Sequence, residues 1–153
     1  MAKFNIQLKN FNTVISALKE LGDDVEQVTA RVINDTLDQT KANVNKNLDT
    51  PSSGGRIYKR GPGRNLSPIH KASPPGAFPN TDTGELKRRT QVTEYAKPAP
   101  RMRGVIGTNL KYGLYLERGT SKMAKRPWLR PSFRKATKDM IQELGREILR
   151  RTK

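Results

Sequence analysis

His70 is the only histidine in the chain, so a Ser-His-Asp nucleophile or a histidine metal site would have to pass through it. It stands among Pro, Ser and Lys in Ser67-Pro-Ile-His-Lys-Ala-Ser73, and it reads as a loop histidine with no special role. Cysteine is absent. That removes thiol nucleophiles, Cys-based zinc sites and disulfides, and it accords with a reducing cytoplasm. Asp23 and Asp24 are adjacent, and neighbours on a helix point about 100° apart, so they suit a helix N-terminus better than an acid–base dyad. Glu117 has no carboxylate partner nearby in sequence. It reads instead as an acceptor for backbone N–H groups of the turn Arg118-Gly119-Thr120. Neither a P-loop nor a dinucleotide fingerprint occurs. The residue types predict no catalytic, cofactor or metal site, and point to binding.

The residues suited to binding are cationic. Arg56-Ile-Tyr-Lys-Arg-Gly-Pro-Gly-Arg64, followed by Lys71, combines Arg56, Lys59, Arg60, Arg64 and Lys71 with an aromatic, Tyr58. Such a loop can neutralise phosphates and stack on a base, or it can meet an acidic protein surface. Both readings stay open on composition alone. Trp128, between Pro127 and Leu129, reads as a core anchor at the start of a helix, with a subunit-interface anchor as the other option.

The whole chain shares this charge. It has 153 residues, 30 Lys+Arg against 14 Asp+Glu, a net charge of +16 and a pI near 10.5. Residues 1–50 hold 6 basic and 7 acidic side chains, which leaves 24 and 7 for residues 51–153. The length suits a single domain. At 33% apolar residues and a mean hydropathy of −0.79, its core is thin, which favours long loops or burial against partner subunits. No apolar run approaches the ~20 residues of a membrane helix, and Met1 to Leu8 alternates rather than forming a signal-peptide block.

The elements that must position these residues can be read in outline. Phe4 to Leu8 has the period of a strand, and Phe11 to Leu21 that of a helix closed by Gly22. Val25, Val28, Val32, Leu37 and Val44 predict a second helix from Asp23 to about Leu48, ended by Thr50-Pro51. Residues 51–81 hold six of the ten prolines, five of the twelve glycines and no acid. They predict an extended basic loop without helix or sheet, mobile alone and ordered on a neighbour. Within 82–130, Leu86 to Tyr95 and Met102 to Thr108 predict a hairpin about the turn Lys97-Pro-Ala-Pro100. Leu110 to Leu116 fits strand and helix equally. Residues 131–151 predict a helix opening at Pro131, with an apolar stripe of Phe133, Ala136, Met140, Ile141, Leu144 and Ile148. Gly84, Gly107 and Gly119 each precede a new element, where φ > 0 is common.

Several segments share their order and spacing with a known family. Ser73-Pro-Pro-Gly-Ala-Phe-Pro-Asn-Thr-Asp-Thr-Gly-Glu-Leu86 resembles the "A-S-x-P-G-x-x-P-x-x-D-T-G-x-L" segment of the neck and tail-completion proteins of long-tailed bacteriophages. Gly55-Arg-Ile-Tyr58 is similar to their "G-R-x-Y" element. Ile106-Gly-Thr, Tyr112 and Leu116-Glu-Arg-Gly-Thr120 are similar to "V-G-T … Y-A-x-x-x-E-x-G-T". Arg126-Pro-Trp-Leu-Arg-Pro131 resembles the "R-P-F-L-x-P" that opens their last helix. Arg88-Arg89-Thr90 and Ser132 depart from the family pattern. The resemblance covers roughly Gly54 to Leu149 and marks Pro75, Gly76, Asp82, Thr83, Gly84, Leu86, Tyr112, Glu117, Gly119, Thr120, Pro127, Trp128, Leu129 and Pro131 as structural or interface residues.

It implies an α+β fold, with a small antiparallel sheet packed by long N- and C-terminal helices. It also implies a non-enzymatic virion component, made in the host cytoplasm and placed at the neck or upper tail. Its partners would be copies of itself in a ring, the head connector, and a tail terminator or tail tube protein, with passing genomic DNA as a further contact and no membrane. The rival from another class is a stand-alone basic nucleic-acid-binding protein.

Overall fold

The computed structural model describes residues 25–59, 69–99 and 101–151, with the side chains of 25, 143–145 and 147–151 outside that set. The strand expected at Phe4 to Leu8, the helix expected at Phe11 to Leu21, and Arg60 and Arg64 lie outside the described residues, as do the side chains of Leu144 and Ile148.

The fold is α+β. Helix α1 (Val25–Leu48) lies against the last helix, α4 (Leu129–Arg151), and these two make the largest interface among the elements. α1 is polar for a packed helix, because small hydroxyl residues line the contact. The Thr36 hydroxyl donates to the Val32 carbonyl at 2.7 Å and the Thr40 hydroxyl to the Thr36 carbonyl at 2.6 Å, so both are satisfied within the helix. The Asn43 amide reaches across to the Ser132 carbonyl at 3.3 Å, and the Thr36 hydroxyl meets Met140 Sδ at 3.1 Å. Short side chains let the two backbones approach, and Val32, Leu37, Val44 and Leu48 supply the buried apolar face.

Among the described residues the strands form two separate two-stranded antiparallel sheets rather than one. β1 (Ile57–Lys59) pairs with β2 (Ile69–Lys71), so the segment expected to have no sheet of its own is a basic β-hairpin. β3 (Thr90–Glu94) pairs with β4 (Val105–Thr108), as the expected hairpin requires, with an irregularity between Val92 and Glu94. The first strand is shorter than expected, because Glu85–Arg89 coils into a short helix, α2. Gly84, at φ 75°, turns the chain into it, and Leu86 is its one buried anchor. Leu110 to Leu116 resolves as helix: α3 spans Lys111–Arg118. Helical winding buries Gly113 and Glu117 on one side and leaves Tyr112 and Tyr115 41% and 47% exposed.

The core joins Leu37, Val44 and Leu48 of α1 to Leu86, Ile106, Trp128 and Leu129. α4 starts two residues earlier than Pro131 predicts, so Pro131 falls in its first turn, where its missing N–H removes no helical bond. Phe133, Ala136 and Met140 turn inward to different degrees, but Ile141, expected in the same stripe, is 48% exposed. Gly119 has the expected positive φ, at 78°, whereas Gly107 is a buried strand residue of β4. No helix among the described residues is long and apolar enough to cross a membrane.

Candidate partner-docking groove

Several of the residues singled out in the sequence, Tyr58, Pro75, Asp82 and Tyr112 among them, meet beside the hairpin. Gly55 starts this arrangement. A Cβ there would stand 1.5 Å from the Ala72 carbonyl oxygen, so only glycine lets the two legs close. The Ala72 amide then donates to the Arg56 carbonyl at 3.0 Å, and Tyr58 pairs directly with His70. Below the strands, the Asn80 side chain fastens the legs to the body. It accepts from the Ser52 amide at 2.7 Å and donates to the Ser52 and Lys71 carbonyls at 3.1 and 3.0 Å. The Thr81 hydroxyl donates to the Leu48 carbonyl at the end of α1 at 2.6 Å.

A second strap runs from residues 73–76 to residues 124–126. The Gly76 amide donates to the Lys125 carbonyl at 2.9 Å and Arg126 Nε to the Ser73 carbonyl at 2.9 Å. The Arg126 amide in turn donates to the Leu116 carbonyl of α3. Between these straps lies a groove of about 580 Å³. Tyr58 and His70 come to it from the hairpin, Pro75 and Asp82 to Leu86 from the segment that follows, and Tyr112 and Leu116 from α3. Met123 and Ala124 close its far side.

Its electrostatics are local pairs. His70 Nδ1 lies 3.6 Å from Asp82 Oδ1, which sets the hairpin beside the segment that follows it. Glu85 is held below the usual carboxylate range by its hydrogen bond and charge pairing with Arg88, and further by Arg89. Burial, with the charge of Glu85 next, pushes the Tyr112 phenol up. Ser73 also lines the groove and is 1% exposed, yet its hydroxyl has no hydrogen-bond partner among the described residues. Among the described residues, then, no hydrogen bond joins Ser73 to His70. No cluster of three metal-ligating side chains occurs among the described residues.

Glu117 and Trp128 do not line the groove but join α3 to the start of α4. The Glu117 carboxylate accepts from the backbone N–H groups of Trp128, Leu129 and Arg130 at 2.8, 2.9 and 3.0 Å. This corrects the expectation that it serves the Arg118–Thr120 turn. The first turn of α4 holds no acid of its own, and a buried carboxylate from α3 fills that place. Trp128 is 1% exposed and its indole N–H donates to the Gly113 carbonyl at 2.9 Å, so it is the core anchor expected. Leu129 is equally buried. Gly119 and Thr120 form the turn at the end of α3, where Thr120 and Met123 exchange backbone hydrogen bonds. The Thr83 hydroxyl accepts from the Glu85 amide at 3.3 Å as α2 begins.

The hairpin presents two faces. Tyr58 and His70 form one, and Arg56 lies over the Tyr58 ring at 5.4 Å. Ile57 and Lys71, with Lys59 and Ile69, are the other pairs in register. Ile57 and Ile69 are 58% and 53% exposed. The sequence displays the cations of this element but hides that two isoleucines share their face. No family model, curated protein or solved structure matches the chain.

Proposed function

We propose that the chain is a structural component of a bacteriophage virion at the head–tail junction. In this reading several copies form a ring that joins the head connector to the tail terminator or tail tube. The role is binding rather than catalysis. One observation carries it: a hairpin pinned at its base exposes two isoleucines among lysines, beside an apolar groove. Apolar residues held out in solvent by a fixed element favour a protein surface, since phosphate contacts need only the cations. The order of the sequence segments that resemble neck proteins supports the same reading. So does the thin core, since subunits that close a ring by rotation bury surface against one another.

The test is virion assembly with Arg56, Lys59, Arg60 and Arg64 all changed to Ser. The variant folds and fails to join heads to tails if the hairpin meets protein. Normal joining with altered DNA retention or ejection would instead mean that the hairpin meets DNA. Light scattering after size exclusion, without DNA, tests self-association or binding to a purified connector.

A further inference from the structure

We infer that the exposed side of α4 is a second binding surface, one that takes the phosphodiester backbone of duplex DNA independently of sequence. Arg130, Arg134 and Lys138 follow one another at four-residue steps, and all three are exposed. They run along about 12 Å of helix. Duplex DNA carries one negative charge per ~1.7 Å of axis, so several phosphates lie within reach of that length. Helix α4 packs on α1 through its other side, where Ser132 and Ala136 are buried, so the stripe is free of the core.

Among the described residues no carboxylate pairs with this stripe. Arg130 with Arg134, and Arg134 with Lys138, are like-charge neighbours at i,i+4, which repel. Arg130 also sits in the first turn, the positive end of the helix dipole, where a cation is unfavourable. The next stripe of the same helix shows the ordinary solution, with Lys135 paired to Asp139 at 2.7 Å. From Arg118 to Lys138 the chain has eight basic residues and no acid. The flanking carboxylates are engaged: Glu117 by backbone amides and Asp139 by Lys135. An exposed row of cations that opposes its own helix is explained by a polyanion that the row neutralises. The hairpin differs in interleaving its cations with exposed isoleucines, so the two surfaces suit different partners. The stripe binds DNA whether or not the chain joins heads to tails.

The experiment measures affinity for a mixed-sequence 30-base-pair duplex by fluorescence anisotropy across a series of salt concentrations. With Arg130, Arg134 and Lys138 all changed to Gln, the slope of log K against log salt becomes shallower by about 2.7, at 0.9 for each phosphate no longer neutralised. The change is the same on a second, unrelated duplex. Two control variants of equal charge change, Arg31, Lys46 and Lys97 to Gln and Arg56, Lys59 and Lys71 to Gln, shift the slope by less than half as much. Replacing Arg130 and Arg134 by Lys keeps the parental slope, and shows that charge at a folded helix is what is read. An unchanged slope in the first variant overturns the inference, and so does an equal change in either control.

Discussion

Glu117 and Trp128 hold each other in place. The carboxylate takes the Trp128 backbone N–H at 2.8 Å, while the indole N–H closes on the Gly113 carbonyl one turn back in the helix that carries Glu117. Helix α3 and the start of α4 are therefore joined at two points by groups that are all buried. Replacing Glu117 by Ala strips the acceptor from three backbone N–H groups. Two of these bonds are buried and the one to Arg130 is part-buried, so at about 1–3 kcal/mol for each buried donor left unpaired the expected loss is about 2 kcal/mol or more. Glu117→Gln keeps one acceptor oxygen and loses less. Urea unfolding of the two variants checks the order, and equal losses would contradict it.

Trp128→Phe removes the bond to Gly113 and part of the ring volume. The expected loss is about 1–3 kcal/mol, and about 3–5 kcal/mol for Trp128→Ala. Gly113 faces this ring, with a built Cβ 3.5 Å from Trp128 Cζ2 and 2.7 Å from Thr108 Cγ2. Gly113→Ala is thus expected to destabilise even though alanine favours helix. A higher melting temperature for Gly113→Ala would refute the close packing.

Gly54 and Gly55 are neighbours with opposite requirements. Gly54 has φ 84°, and a Cβ there would meet no atom of the described residues within 4 Å, so Gly54→Ala meets the backbone penalty of about 1–2 kcal/mol. Gly55→Ala drives a methyl into the Ala72 carbonyl and should release the hairpin base. Hydrogen exchange at the Ala72 amide reads this directly. Protection is kept in Gly54→Ala and disappears in Gly55→Ala.

Tyr95 gives a pH dependence with a defined sign. Its hydroxyl donates to Asp38 at 2.7 Å, and that hydrogen bond, then loss of solvation and the Asp38 charge, pushes the phenol above its ordinary value. A raised folded-state value means the contribution is whole below about pH 10, the unfolded value, and is lost as pH rises through the folded one. Urea midpoints for the parent and Tyr95→Phe should therefore converge above pH 10. A gap that stays constant to pH 12 would mean the hydroxyl is not coupled to folding.

Long amphipathic elements are legible in the sequence. The apolar spacing from Val28 to Val44 marks α1, and that from Phe133 to Met140 marks α4. Gly84 and Gly119 announce their turns. The hairpin is not legible, because β1 and β2 have three residues each and too little length for a period to show. Nor is α2, whose five residues contain one buried side chain. Glu117 is recognisable as an acceptor, but proximity assigns it to the adjacent turn, whereas its true donors stand eleven to thirteen residues away. The groove depends on pairings such as His70 with Asp82 and Tyr58 with His70, which exist only once the hairpin has closed.

The strand that ends at Glu94 also has its far end guarded. Asn34, projecting from α1, donates to the Ala96 carbonyl at 3.0 Å and accepts from the Ala96 amide at 2.7 Å. One carboxamide thus does there what a neighbouring strand would do. An incoming extended chain finds both groups of Ala96 already occupied, so the ladder cannot be continued by a stranger past Glu94. This is protection against edge-to-edge aggregation supplied by a helix side chain.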